Sequence, residues 1–375
     1  MTIPATLDEL DAPWLTDVLG AAGVLGSAVV AAIERTPIGT GQMCDTFRLS
    51  LTYDRPTEAP ASVVVKVPAA DEASLQAAMA LRCYEIEVRF YQELACTLPV
   101  RTPHPYYAEL AIGSPRFVLV VEDLTDAHAG DQLAGCTVAE AAVALDELVR
   151  LHAPRWGDPS LAELEWLHRD PDGSRQFLLG LLPELWEGFQ NRYQDLVTPA
   201  TGRAGETLFT RLDAYLGADT GPATVTHGDY RLDNLLFGAP PGDAPGGTGP
   251  GTGTGADGGT GDRVAVLDWQ TAGHGPALAD VAYFLGAGLL AEERRAHEHD
   301  LVRRYHRRLT AAGVHDYPWE QCWSAYRRGS WSGLVMAVAA SMLVERTERG
   351  DAMFLAMADR HARHALDLDA AAVIG

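Results

Sequence analysis

The first third of the chain switches between two hydrophobic periods. Residues 5–35 mix apolar and acidic positions at helical spacing, which predicts helix up to the turn residues Pro37 and Gly39. Thr46 to Tyr53 then alternates with period two, as a half-buried strand does. A turn rich in proline and acids (Asp54 to Pro60) leads into a second strand, Ser62 to Lys66, so this stretch predicts an antiparallel meander. From Glu72 to Leu98 the spacing is helical again, with Leu75, Met79, Tyr84, Val88 and Tyr91 near one face. Phe117 to Val121 is a further strand, followed at once by Glu122, Asp123 and Leu124. The pattern up to that point predicts a sheet carrying one long helix.

Beyond it the chain is mainly helical. Thr137 to His152 is amphipathic, with Thr137 placed as N-cap and Glu140 three residues on as its capping-box partner. Residues 170–217 and 290–370 also predict helix, and Ser330 to Val344 is apolar enough for a buried one but short for a membrane span. Two short strand-like runs, Thr224–Thr226 and Val264–Leu267, interrupt the helices. Between these runs, residues 239–262 contain almost only Gly, Pro, Thr, Ala and Asp, which cannot bury enough surface to offset ordering entropy. We expect a flexible insertion there.

Composition narrows the function classes. Of 375 residues 47% are hydrophobic and 21% charged, a globular balance, and the net charge of −22 disfavours a nucleic-acid partner. Five scattered cysteines without C-x-x-C spacing argue against a disulfide framework or zinc site and suit a reducing cytoplasm. The acidic N-terminus does not read as an export signal, and no membrane insertion is expected.

The chemistry is concentrated in Thr226-His-Gly-Asp-Tyr-Arg-Leu-Asp-Asn234 and in Val264-Ala-Val-Leu-Asp-Trp269. Phosphoryl transfer needs a group that orients a hydroxyl and accepts its proton, together with oxygen ligands for Mg²⁺ on the phosphates. Asp229 and, five residues on, Asn234 offer the base and one metal ligand from a single loop. Asp268, closing an apolar strand, offers the charged ligand. The distance from Asn234 to Asp268 is long for one hairpin, but without the low-complexity stretch about a dozen residues remain, enough for two strands and a turn. His227 and Asp229 could also be hydrolase metal ligands, although no second His-rich cluster completes such a site.

These motifs resemble the aminoglycoside phosphotransferase family, small-molecule kinases sharing the protein-kinase fold. Glu87-Val-Arg-Phe-Tyr91, Val121-Glu-Asp-Leu124 and Leu151-His-Ala153 are more similar to its choline-kinase-like and ecdysteroid-kinase-like branch. The resemblance spans about residues 36–290. It implies a two-lobed α+β fold: an N-lobe over 1–121, a hinge over 122–126 that holds adenine through Glu122 and Leu124, and a mostly helical C-lobe over 127–375. It also implies Lys66 on the ATP phosphates, held by a carboxylate of the following helix. Glu85 and Glu87 both qualify, and the family spacing before Phe-Tyr selects Glu87. Gly39 and Gly41 stand where a glycine turn covers the phosphates, with Cys44 replacing the usual third glycine. His227 and Asp280 match residues that brace the catalytic loop. Trp323, Tyr326, Trp331, Met336 and Met342 lie on helices that in this family wall the acceptor pocket, although core packing accounts for most of them. The expected activity is ATP- and Mg²⁺-dependent phosphorylation of a small-molecule hydroxyl. A nucleotide-binding pseudokinase and a metal-dependent hydrolase are the alternatives.

Overall fold

The computed structural model describes residues 3–4, 7–39, 43–168, 171–217, 221–239 and 264–374. Gly41 and nearly all of the expected 239–262 insertion lie outside the described residues.

The N-terminal lobe is a five-stranded antiparallel sheet in the order β1-β2-β3-β5-β4. Its strands are β1 (Val30–Pro37), β2 (Cys44–Tyr53), β3 (Ser62–Pro68), β4 (Pro105–Leu110) and β5 (Phe117–Glu122). Helix α1 (Ala12–Ala21) covers one face, and α2 (Glu72–Ala80) and α3 (Cys83–Arg89), which lie between β3 and β4 in sequence, pack against the other. β5 explains its own continuous apolar run, because both of its faces are buried. Val118 and Val120 pack in the core that contains Leu15 and Val18 of α1. Phe117, Leu119 and Val121 pack in the core that contains Ile86 and Val88 of α3. The same period of two settles the direction of Lys66. Val63 and Val65 enter the α1-side core, so Val64 and Lys66 point to the opposite side.

Two expectations in this lobe are corrected. The helix foreseen over residues 5–35 ends at Ala21, and Val30–Pro37 is an edge strand paired with β2 from Val30↔Tyr53 to Pro37↔Phe47. Its Ala, Glu and Arg content favours helix, but the open edge of β2 supplies a ladder of hydrogen bonds that outweighs so weak a propensity. The single helix foreseen over Glu72–Leu98 is four pieces, the last a 3₁₀ turn at Ala95–Thr97. Arg82 takes a left-handed conformation (φ 59°) between α2 and α3, and Phe90–Leu94 continues α3 as one π-helical turn. The wider turn carries Phe90 to the lobe boundary, where its ring stacks on Trp269 at 3.8 Å and 8°.

The C-terminal lobe contains β6 (His128–Ala129), α4 (Val138–His152), α5 (Pro171–Arg192), α6 (Pro199–Thr210), α7 (Leu212–Gly217) and β7 (Ala223–Thr226). There follow β8 (Leu235–Phe237), β9 (Val264–Val266), β10 (Gly273–Pro276), α8 (Ala277–Gly288) and α9 (Ala291–Ala311). The chain ends with α10 (Trp319–Gly329), α11 (Ser332–Leu343) and α12 (Glu348–Asp367). β8 and β9 pair antiparallel with Leu235 opposite Val266, although the low-complexity stretch separates them in sequence. Ala239, expected within that stretch, is buried against Leu124 and Ala265. A sheet-rich lobe joined by residues after β5 to a helical lobe is the two-lobed, protein-kinase-like α+β fold.

The capping box at α4 forms as the sequence predicts. The Glu140 amide donates to Thr137 Oγ1 at 3.2 Å, and the Thr137 amide donates to Glu140 Oε2 at 2.8 Å. Thr137→Ala should lower the unfolding free energy by about 1 kcal/mol in urea denaturation. No measurable change would mean that other contacts satisfy the first turn.

Candidate active site

A cleft of about 1380 Å³ runs between the lobes, and Gly39, Lys66, Glu87, Glu122, Leu124, Asp229, Asn234 and Asp268 all line it. Its volume exceeds that of a usual single-ligand pocket, so it has room for two ligands side by side.

Lys66 sits at the centre of the lobe boundary. Its ammonium donates to Glu87 Oε1 at 2.6 Å and to Asp268 Oδ1 at 2.8 Å. Glu85, the other candidate, turns away and pairs with Arg82 at 2.9 Å. Burial opposes the charge on Lys66, but the adjacent Asp268 and Glu87 carboxylates outweigh it and hold its pKa well above the ordinary lysine value. Burial likewise works against Asp268, yet Lys66 keeps it below the usual carboxylate range. Glu87, almost wholly enclosed, is pushed up by burial, with Lys66 countering in part. Cys44, in the place of a third glycine, lines the cleft beside them. Burial pushes its thiol up to about 12, so it stays neutral there.

The loop from His227 to Asn234 is held from behind. Asp280, on α8, accepts the His227 amide at 2.7 Å and the Gly228 amide at 2.9 Å, and His152 Nε2 lies 3.2 Å from the same carboxylate. The His227 ring lies 2.8 Å from the Leu267 carbonyl and 3.2 Å from the Asp229 amide that it receives. Gly228 must be glycine: its φ is +81°, and a Cβ would stand 2.5 Å from the Thr271 carbonyl oxygen. Both bracing residues expected from the sequence are therefore in contact with the loop.

Asp229 faces the cleft with three donors on it. Arg231 Nε and Asn234 Nδ2, each at 3.0 Å, reach Oδ2, and the Tyr283 hydroxyl donates to Oδ1 at 2.6 Å. Burial and then the charge of Asp229 push the Tyr283 phenol well above its ordinary value, so it remains a donor. Arg231 and Tyr283 were not singled out in the sequence. A cation two residues after the Asp, and a tyrosine three residues after Asp280 on the same helical face, were the available signals.

Asn234 and Asp268 meet at one end of the β8–β9 hairpin, where the Leu267 amide donates to the Asn234 carbonyl at 2.9 Å. Asn234 commits its Nδ2 to Asp229, which leaves Oδ1 over as an oxygen ligand. Asp268 adopts a left-handed conformation (φ 65°), held by Lys66 and by Gln270 Nε2 at 3.0 Å. Among the described residues no three His, Cys, Asp or Glu side chains cluster as a metal cage. One carboxylate and one amide oxygen fit Mg²⁺, which keeps waters and takes its other ligands from phosphates.

The end of β5 and the segment after it border the same cleft through Glu122, Asp123 and Leu124. Their acids are engaged in holding the segment. Glu122 pairs with Arg101 at 2.9 Å, and Asp123 accepts from Arg48 Nε at 2.6 Å and Ser62 at 2.7 Å. Gly39 lies at the rim with φ +76°. Of the five C-terminal aromatic and methionine residues, Met336 lines the cleft. Tyr326 and Trp331 are fully buried, and Trp323 stacks on Trp319 and Tyr326 in the helical core. Met342 packs over Gly188 of α5.

The sequence of residues 45–248 matches the profile of the Phosphotransferase enzyme family, and residues 254–314 match the Ecdysteroid kinase-like family. The first match covers more than half of the chain, which belongs to the Phosphotransferase enzyme family. No curated protein matches it. Among solved structures the chain is similar to the ethanolamine kinase of Plasmodium vivax, with 9% identity, 92% of this chain and 87% of that chain covered, and a TM-score of 0.48. It is also similar to the choline kinase of Cryptosporidium parvum Iowa II (11% identity, 96% and 95% covered, TM-score 0.46). A third is an ADP-bound aminoglycoside phosphotransferase (14% identity, 93% and 98% covered, TM-score 0.45).

Among the described residues no helix is long and apolar enough to cross a membrane. The Asp280 carboxyl is fully buried and yet lies below its ordinary value of 3.8, because burial is outweighed by His152 and the loop amides. A carboxyl with a depressed folded pKa stabilises fully above its unfolded value and loses that contribution as pH falls through the folded one. Asp280→Asn should cost about 1–3 kcal/mol at neutral pH, by leaving a buried amide unsatisfied. It should also flatten the loss of stability below about pH 4. Parallel denaturation curves of the two proteins at neutral and acidic pH check both, and identical acid profiles would remove Asp280 from the linkage.

Proposed function

We propose that the protein transfers the γ-phosphoryl group of ATP to a hydroxyl of a small molecule, with Mg²⁺ on the phosphates. The observation that carries this reading is the placement of Lys66, bridged to Glu87 and Asp268, on one cleft with Asp229 and Asn234. Lys66 neutralises the α- and β-phosphates, and Glu87 fixes its reach. Asn234 and Asp268 would hold the metal ion, which would supply positive charge against the phosphates. Leu119, Val121 and Leu236 line the space proposed for adenine, with the backbone of Glu122 to Leu124 along its edge and Gly39 at the rim proposed to cover the phosphates.

Asp229 is the base in this reading. A carboxylate offers about four lone-pair positions, and three are taken by Arg231, Asn234 and Tyr283. The position left is on Oδ1, and there the acceptor hydroxyl donates. Its oxygen attacks the γ-phosphorus in line, the bond to the ADP oxygen breaks, and the proton passes to Asp229. The products are ADP and a phosphomonoester. Arg231 and Tyr283 are positioning residues: they stop the carboxylate from rotating.

Asp229→Asn should slow transfer by roughly 10²–10⁴-fold while ATP affinity stays near wild type. Single-turnover rates, with water as acceptor if necessary, and nucleotide titrations separate the two effects; equal rates in both proteins would remove Asp229 from the mechanism. Asp268→Ala should abolish the tightening of ATP binding by Mg²⁺ in calorimetry, and a preserved metal effect would overturn its assignment. Tyr283→Phe removes one donor to a charged group and should lower the transfer rate by about ten- to a hundredfold. If the drop appears in ATP affinity and not in the single-turnover rate, Tyr283 supports the fold only.

A further inference from the structure

The half of the cleft beside Asp229 is walled by three helices, and each turns one apolar face towards it. On α5, Phe177, Leu178, Leu181 and Leu185 line the space at the spacing of one helical stripe. On α11 the lining residues are Val335, Met336, Ala339, Ala340 and Leu343, together with Ser332, whose hydroxyl is committed to the Gly329 carbonyl at 2.7 Å, while Leu334, Ala337 and Val338 on the other side are buried in the lobe. Met353, Phe354 and Met357 supply the α12 face. Helix α11 carries no charged residue over its whole length, although only one of its sides is needed for packing. A helix that is apolar all round is one that is covered all round. At the mouth, Phe177 is 63% exposed and Leu343 38%, so the apolar surface continues to the entrance.

The carboxylates near this wall are already neutralised. Asp229 pairs with Arg231 at 3.0 Å, and Asp233 pairs with Arg231 at 3.1 Å and with Arg349 at 3.5 Å. Among the described lining residues of α11, α12 and their connection, the charged ones are Glu345 and Arg349, both exposed. An ammonium group pressed against this wall would lose its hydration and find no buried counter-ion. The net charge of −22 is therefore no guide to the acceptor, because the excess acid is not on this wall.

We propose that the acceptor is an apolar alcohol: a hydroxyl on a hydrocarbon body without cationic groups, seated against α5, α11 and α12 with its hydroxyl on Asp229. The proposal rests on the phosphotransferase reading and adds the chemical class of the acceptor. The hydrocarbon displaces weakly held water from the wall, and the one polar end finds the free lone pair of Oδ1. The alcohol oxygen takes the γ-phosphoryl group of ATP, ADP leaves, the proton passes to Asp229, and a phosphate ester of the alcohol is the product.

Two measurements on the full chain test it. In the first, equilibrium dialysis without nucleotide uses a labelled monohydroxy steroid and, separately, an amino sugar with several ammonium groups. The steroid should bind and the amino sugar should not. Val335→Glu and, as a second variant in case the first does not fold, Ala339→Asp should weaken steroid binding by about tenfold or more, with folding checked by melting temperature. Retained affinity in a folded variant overturns the site. In the second, ADP release and phosphate-ester formation are followed with Mg·ATP and the steroid, dodecanol, the amino sugar or water alone. Either apolar alcohol should raise turnover by about tenfold or more over water. Turnover with the amino sugar alone overturns the acceptor class. Turnover with water alone does so too, while leaving the phosphotransferase reading in place. Steroid binding with no ATP turnover at all would leave the apolar site standing and sink the phosphotransferase reading.

Discussion

An ammonium group buried between two carboxylates from different parts of the chain is what the cleft depends on. Lys66 comes from the sheet, Glu87 from α3, and Asp268 from the end of a hairpin in the other lobe. Any one of these groups left alone at that depth would lose more in hydration than it gains from packing. Together they are mutually required, and they fix the distance between the lobes at the place where phosphates are proposed to lie. Phe90 and Trp269 act beside them: Phe90 follows Glu87 by one helical turn, and Trp269 follows Asp268 directly. The ionic contact sets the geometry, and the stacked rings exclude water around it. A nucleotide entering here would exchange one set of charge partners for another, so Lys66 is compensated before binding as well as after.

The second constraint is the loop that carries Asp229. Its backbone amides at His227 and Gly228 are buried and cannot be satisfied by a regular ladder, since Gly228 turns the chain at positive φ. Asp280 supplies both acceptors from α8, and α8 also provides Tyr283 one turn later. One helix thus holds the loop from behind and the carboxylate from the side. His152, which joins Asp280 to Tyr305 of α9 at 2.8 Å, ties the arrangement to the helical core. Rigid support of this kind would keep Asp229, the proposed base, within the narrow tolerance that chemistry requires.

Much of this was legible in the sequence for a physical reason. Period-two alternation marks β2, the unbroken apolar run marks β5 because both of its faces are covered, and Thr137 with Glu140 marks the start of α4. The Asp229-to-Asn234 spacing is local, so the pair could be read from the loop sequence before its support from α8 was known. Lys66 was legible because it is a charge at the end of an apolar run, and the choice of Glu87 over Glu85 came from family spacing.

Tertiary structure decided the remainder. β1 is a strand because β2 offers an edge, and α3 breaks from α2 and widens into a π turn because Phe90 must reach Trp269. Tyr326 and Trp331 are core residues, whereas their neighbours Val335 and Met336 face the cleft; period alone cannot separate two faces of a helix that is apolar all round. Arg231 reaches Asp229 from within the same loop, but Tyr283 comes from more than fifty residues away in sequence, and only the packing of α8 behind the loop brings it there. Sequence by itself determined the local patterns: strand period, cap, loop spacing and the types of chemical group. Which face is buried and which distant groups share one carboxylate are properties of the packed chain, because they depend on what lies across the space and not on what lies along it.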